Sequence, residues 1–208
     1  MKKYYSNPIG TDFKASLPRL RKKIRAESFD PNDSIYGIAG NTFRAFRGFK
    51  KPSRTYRSWA RSITENAIKN QDGFDSQDDL DKWHIELYST LKNHWKKEQD
   101  NEPSFAHTYK MVDLYLKWLC SNEKCPEKLA NSIIKYGYCA LDSQILKKLN
   151  EALSYALPIR IRNPSMGDIT NENTYEYCQS LIKDFAENFN GYRLLFDYYA
   201  WVPGSAKK

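Results

Sequence analysis

The chain has no apolar run long enough for a membrane span, which needs about 18 residues or more. Nothing apolar follows its opening Met1-Lys2-Lys3-Tyr4-Tyr5-Ser6, which argues against a secretory leader. No glycine-rich loop is present to cradle a nucleotide phosphate. Histidine is scarce, at 3 residues, and the 4 cysteines form no Cys-x-x-Cys pair. Zinc needs four convergent nitrogen or sulfur ligands, so neither metal nor cofactor is expected. Cys120, Cys125, Cys139 and Cys178 read as buried thiols, reduced in a cytoplasmic protein.

Acidic residues are thin at one end. Residues 1–62 hold 15 Lys/Arg against 4 Asp/Glu, while residues 63–208 hold 18 against 21. The formal net charge of +8 is therefore a property of the N-terminal third, and it points to a polyanionic partner. A solvated basic face is the plainer alternative. Mean hydropathy is −0.76, yet aromatics make up 14% of the chain, a combination that favours a folded protein with a polar surface over a disordered one.

Apolar residues recur with helical spacing almost throughout, and no strand pattern stands out. The expected fold is all-α, about eight helices in one globular domain spanning residues 1–208. Residues 1–62 form its basic, loop-rich part and 63–208 its helical core. Helices are expected over 12–26, 54–70, 77–98, 104–120, 126–136, 142–155, 173–189 and 192–201. Pro18 falls near the first turn of the first, where proline is tolerated. Residues 27–52 carry Pro31, Gly37, Gly40, Gly48 and Pro52 and read as loops, as does the stretch around Arg160 and Arg162 between Pro158 and Pro164. The helix over 104–120 is apolar on most sides, the mark of a central element.

Two polar residues stand out against this pattern. Lys110 lies in the first turns of the apolar helix, where desolvation would favour the neutral, nucleophilic amine. It could equally reach solvent or pair with Asp113. Asp142 precedes a helical stripe. It is either an N-cap or a carboxylate that stabilises a developing sugar cation. His107, one turn before Lys110, could join a site there. The basic segment Arg44, Arg47, Lys50, Lys51 and Arg54 interleaves cations with Phe43, Phe46 and Phe49. The cations suit phosphates, and Phe46 or Phe49 could wedge into an unstacked base step or else pin the loop to the core.

The frame Tyr109-Lys110…Leu141-Asp142-Ser143-Gln144-Ile145-Leu146 resembles the catalytic half of the helix–hairpin–helix DNA glycosylase superfamily, in which a lysine at the head of a helix is followed by an aspartate. The long separation of the two is similar to that in the archaeal 8-oxoguanine glycosylase branch. The resemblance covers about residues 104–150. The segment before Lys110, Glu102 to Tyr109, lacks the glycines of the family's hairpin. Ser104, Thr108 and helix N-terminal amides are left to hold a phosphate.

The resemblance implies a DNA glycosylase, with or without AP-lyase activity, that excises a damaged or modified base in base-excision repair or anti-phage defence. Lys110 would attack the anomeric carbon and Asp142 would stabilise the cation. His107, Tyr109 and Gln144 would line the pocket of a base flipped from double-stranded DNA. Trp59, Trp83, Trp95, Tyr109 and Trp201 could stack on that base or belong to the core. A monomer with no membrane partner is expected. The alternative is a non-catalytic helical nucleic-acid-binding protein, such as a phage-defence accessory or inhibitor.

Overall fold

The computed structural model describes residues 5–26, 34–46, 48–70, 72–157 and 163–201. The protein is all-α, with eight α-helices among these residues: α1 (Asn7–Ala26), α2 (Pro52–Asn70), α3 (Gln77–Gln99), α4 (Phe105–Leu119), α5 (Glu127–Tyr136), α6 (Ser143–Ala152), α7 (Glu172–Asn188) and α8 (Arg193–Ala200). They fall into two compact units, one of residues 26–137 and one of residues 1–25 with 138–208. No helix among the described residues is long and apolar enough to cross a membrane.

In the unit of residues 26–137, α3 runs antiparallel to both α2 and α4. Three contacts set the α2 register: Thr55 with Gln99, Ser58 with His94, and Trp59 with Thr90. On the other side His84 meets Asp113, and Tyr88 stacks on Tyr109 with centroids 4.3 Å apart. Ser76 starts α3 by accepting from the Asp79 amide, and Ser104 starts α4 by accepting from the His107 amide. α4 is central, as expected, with Met111, Val112, Tyr115, Leu116 and Leu119 all buried.

The loop-rich segment before α2 holds more structure than its sequence announced. Two strands of two residues, β1 (Ser34–Ile35) and β2 (Ile38–Ala39), pair antiparallel, and a 3-10 helix follows over Gly40–Ala45. Tyr36 and Gly37 join the strands with φ of +48° and +85°, the two positive values that a tight hairpin turn needs. A side chain at Gly37 would lie 2.6 Å from the Trp118 Cβ, so the turn and its packing on α4 both require glycine.

In the other unit, α8 is buried along its whole length. Phe13 of α1 packs among Phe185, Phe196 and Tyr199. Leu17, Leu20 and Ile24 complete that stripe. α1 begins earlier than the spacing predicts, so Pro18 lies mid-helix and not in the first turn. It is tolerated because it sits on the exposed side, where the Lys14 carbonyl that it leaves without a helical donor can reach water.

Residues 138–142 cross this unit outside any helix, with no strand beside them among the described residues. Side chains take the place of a partner strand. The Cys139 N–H donates to Gln179 Oε1 at 3.0 Å, and Gln179 Nε2 returns a bond to the Cys139 carbonyl at 2.7 Å. The Ala140 N–H donates to Asp197 Oδ2 at 2.9 Å. The Arg193 guanidinium lies 3.9 Å from the centre of the Tyr138 ring. All four cysteines are buried and outside any disulfide, and burial pushes the Cys178 thiol up to about 11, which keeps it protonated and inert.

Candidate nucleic-acid interface

From Ser34 to Thr64 the chain has seven Lys/Arg and no Asp/Glu. Six of these cations are described, Arg44, Lys50, Lys51, Arg54, Arg57 and Arg61, and all six are exposed. Arg47 lies outside the described residues. Arg54, Arg57 and Arg61 sit at i, i+3 and i+7 of α2, so they share one face over about 10 Å of helix. Thr55, Tyr56, Trp59, Ala60, Thr64 and Ala67 face the core instead. Among the described residues, no carboxylate lies within 4.0 Å of any of these six cations.

The platform beneath them is well anchored. Gln99 of α3 holds the loop before α2 by accepting from the Lys50 N–H at 2.8 Å and donating to the Lys50 carbonyl at 2.7 Å. The same amide nitrogen reaches Thr55 Oγ1 at 2.6 Å. Phe46 is buried against Trp95 and His107, and Phe49 meets the Trp95 ring edge-on. Phe46 is therefore a core anchor and not an intercalating wedge, because its ring is already enclosed. The phenylalanines pin the loop, and the cations between them are left outside.

At the middle of the α2 row, Ser58 Oγ lies 2.7 Å from His94 Nε2 and 3.0 Å from the Thr55 carbonyl. Neither Ser58 nor His94 carried any signal of its own in the sequence. Arg57 and Arg61 were legible only through the long gap in acidic residues.

The chain matches no family model, no curated protein and no solved structure. Its function has to be read from its own side chains.

The residues expected to act on a flipped base are placed as follows. Thr108 is fully buried and donates its hydroxyl to the Ser104 carbonyl at 3.1 Å, so its side chain cannot reach a phosphate. Tyr109 is buried in a ladder with His84, Tyr88 and Phe105. Trp59, Trp83 and Trp95 are core residues, whereas Trp201 is exposed at the end of α8. Ser104 is exposed and caps α4, with its hydroxyl 2.6 Å from His107 Nδ1. His107 is half-buried. Burial and then the nearby Lys110 charge hold its imidazole below the ordinary range.

Lys110 is half-buried on α4 and belongs to the unit of residues 26–137. Asp113 pairs with the buried His84 at 2.8 Å. Asp142 belongs to the other unit, so the two expected catalytic groups meet within neither. Asp142 caps α6, its Oδ1 accepting from the Gln144 amide at 2.9 Å and the Ile145 amide at 3.0 Å. Gln144 is exposed in the first turn of that helix. Among the described residues, no three His, Cys, Asp or Glu side chains gather as a metal site.

The capping geometry carries a prediction. Asparagine offers the same oxygen to the same amides, so Asp142→Asn should melt close to the parent. Asp142→Ala should lose about 1 kcal/mol. Equal losses in both variants, measured by thermal unfolding, would show that the charge does more than cap.

Proposed function

We propose that this protein binds nucleic acid through the cationic face formed by the 3-10 helix, the loop before α2 and α2 itself. The observation that carries the reading is the run of six exposed cations, free of acidic neighbours in the chain, three of them on one face of α2. Such a run neutralises backbone phosphates and releases their counterions, which gives affinity without reading sequence. The neighbouring aromatics support phosphate over base recognition: Phe43, Phe46, Tyr56 and Trp59 are all buried and present no stacking surface. α1 carries further exposed cations, Lys14, Arg19, Arg21, Lys22 and Lys23, in the other unit.

The reading is non-catalytic. In support, Asp142 serves α6 as a helix cap, its Oδ1 accepting from two amides of its own helix. The test is affinity for a duplex of arbitrary sequence across a salt series. If all six cations engage phosphates, log K falls against log salt with a slope of about −5. A slope near zero, or no binding at low salt, would refute the proposal. Borohydride trapping on lesion-bearing duplexes should give no adduct; an adduct lost in Lys110→Ala would instead establish a glycosylase with lyase activity.

A further inference from the structure

The Ser58–His94 contact joins two helices in the middle of the cationic row, and its proton arrangement has consequences. A serine hydroxyl has one proton. Directed at the Thr55 carbonyl, 3.0 Å away, it leaves an oxygen lone pair facing His94 Nε2 at 2.7 Å. His94 then holds its proton on Nε2, and Nδ1 is the nitrogen open to a second one. No described residue makes a hydrogen bond to Nδ1, and the side chain is half-exposed.

The charges around this imidazole come from the two packed helices. On α2, Arg54, Arg57 and Arg61 lie within one turn of Ser58. On α3, Lys97 and Glu98 follow His94 by one turn, with Asn93 and Thr90 neutral. By helical spacing, four cations and one carboxylate therefore lie within a turn of the two contact residues. A phosphate seated on the row places an anion beside the imidazole, which favours its charged form.

We propose that the Ser58–His94 pair is a phosphate-contact point within the arginine row, and that it takes up a proton as the phosphate binds. The proposal rests on the nucleic-acid reading above and adds to it a defined residue, a defined nitrogen and a linkage to pH. His94 donates from Nδ1 to a phosphate oxygen while Nε2 stays on Ser58. No other histidine is built for this. His84 is buried against Asp113, and His107 sits under Phe46 with Ser104 on its Nδ1.

The test follows the His94 imidazole by proton NMR through a pH titration, alone, with inorganic phosphate and with duplex. The expected result is an upward shift of its titration midpoint, on the order of one pH unit with duplex and smaller with phosphate. This is equivalent to about a tenfold rise in duplex affinity between roughly pH 8 and pH 5.5. His94→Gln keeps a side-chain amide near Ser58 and should lose the rise. His107→Gln should keep it. A midpoint unmoved by either probe, or a pH dependence that survives in His94→Gln, overturns the proposal. A midpoint that moves with inorganic phosphate in a protein that binds no duplex supports the phosphate contact and refutes the nucleic-acid reading alone.

Discussion

Replacing Arg54, Arg57 and Arg61 together by alanine is expected to weaken duplex binding by on the order of a hundredfold or more at about 0.1 M salt, and to make the log–log salt slope shallower by about 3. The three side chains are exposed and carry no ion pair among the described residues, so their removal takes away phosphate contacts and little else. The circular dichroism and melting temperature should barely change, because alanine is the better helix former. Lys92→Ala provides the contrast. Lys92 is held 2.9 Å from Glu102, which also draws in Lys96 at 3.5 Å, and the carboxylate raises the Lys92 ammonium above its usual range. A cation already paired with a neighbouring carboxylate displaces few counterions from DNA, so that variant should leave the slope near its parent value. If the triple variant keeps the full slope, the interface lies elsewhere, and α1 is the next basic element to examine.

The helices were legible because each keeps one apolar stripe and several carry a recognisable cap. Phe13, Leu17, Leu20 and Ile24 repeat at helical spacing in α1, and Leu80, Trp83, Leu87 and Leu91 do so in α3. Ser76 and Asp142 mark the starts of α3 and α6 as capping residues should. What the pattern could not give was the role of polar residues inside the fold. Gln179 and Asp197 look like surface positions in the sequence, yet both are almost fully buried because a segment outside any helix needs their hydrogen bonds. Thr108 and Tyr109 could not be assigned to a pocket or a core, because a helix that is apolar on most sides does not reveal which side is covered. The hairpin at Tyr36–Gly37 was hidden for another reason: two-residue strands are too short to show alternation.

The candidate site divided in the same way. The charge asymmetry pointed to a stretch of chain in which Arg44, Lys50, Lys51 and Arg54 are all exposed. The aromatic residues between them left a base wedge and a core anchor both open. A phenylalanine beside an arginine is compatible with a wedge or an anchor, and only the position of Trp95, half a hundred residues along the chain, decides for the anchor. Ser58 and His94 meet only because α2 and α3 are antiparallel neighbours, a fact about tertiary register that neither residue's own surroundings encode.

The second large effect concerns the fold and not the interface. Gln179→Leu is expected to destabilise the unit of residues 1–25 and 138–208 by roughly 2–6 kcal/mol. That is a large fraction of the 5–15 kcal/mol typical of a whole protein. Leucine has similar volume and is at home in a core, so the loss would not come from a cavity. It would come from Cys139, a fully buried residue whose N–H and C=O both depend on the Gln179 amide. Both groups would lose the Gln179 amide in a place water does not reach, and each buried group that loses its bond costs about 1–3 kcal/mol. Gln179→Glu separates this account from simple crowding. A protonated glutamic acid can serve both Cys139 groups, but an ionised one turns an oxygen toward the Cys139 carbonyl. Burial and that carbonyl would raise the folded-state pKa of the new carboxyl above its unfolded value near 4.3. The folded protein would then bind more protons than the unfolded one, so stability should fall as pH rises through the unfolded and then the folded pKa. Denaturant melts of the parent, Leu and Glu variants at about pH 5 and about pH 8 would measure this. The glutamate variant should recover toward the parent at the lower pH, while the leucine variant should stay destabilised at both. A leucine variant as stable as the parent would mean that residues 138–142 find other hydrogen-bond partners, and that the buried amide is not what holds that segment in place.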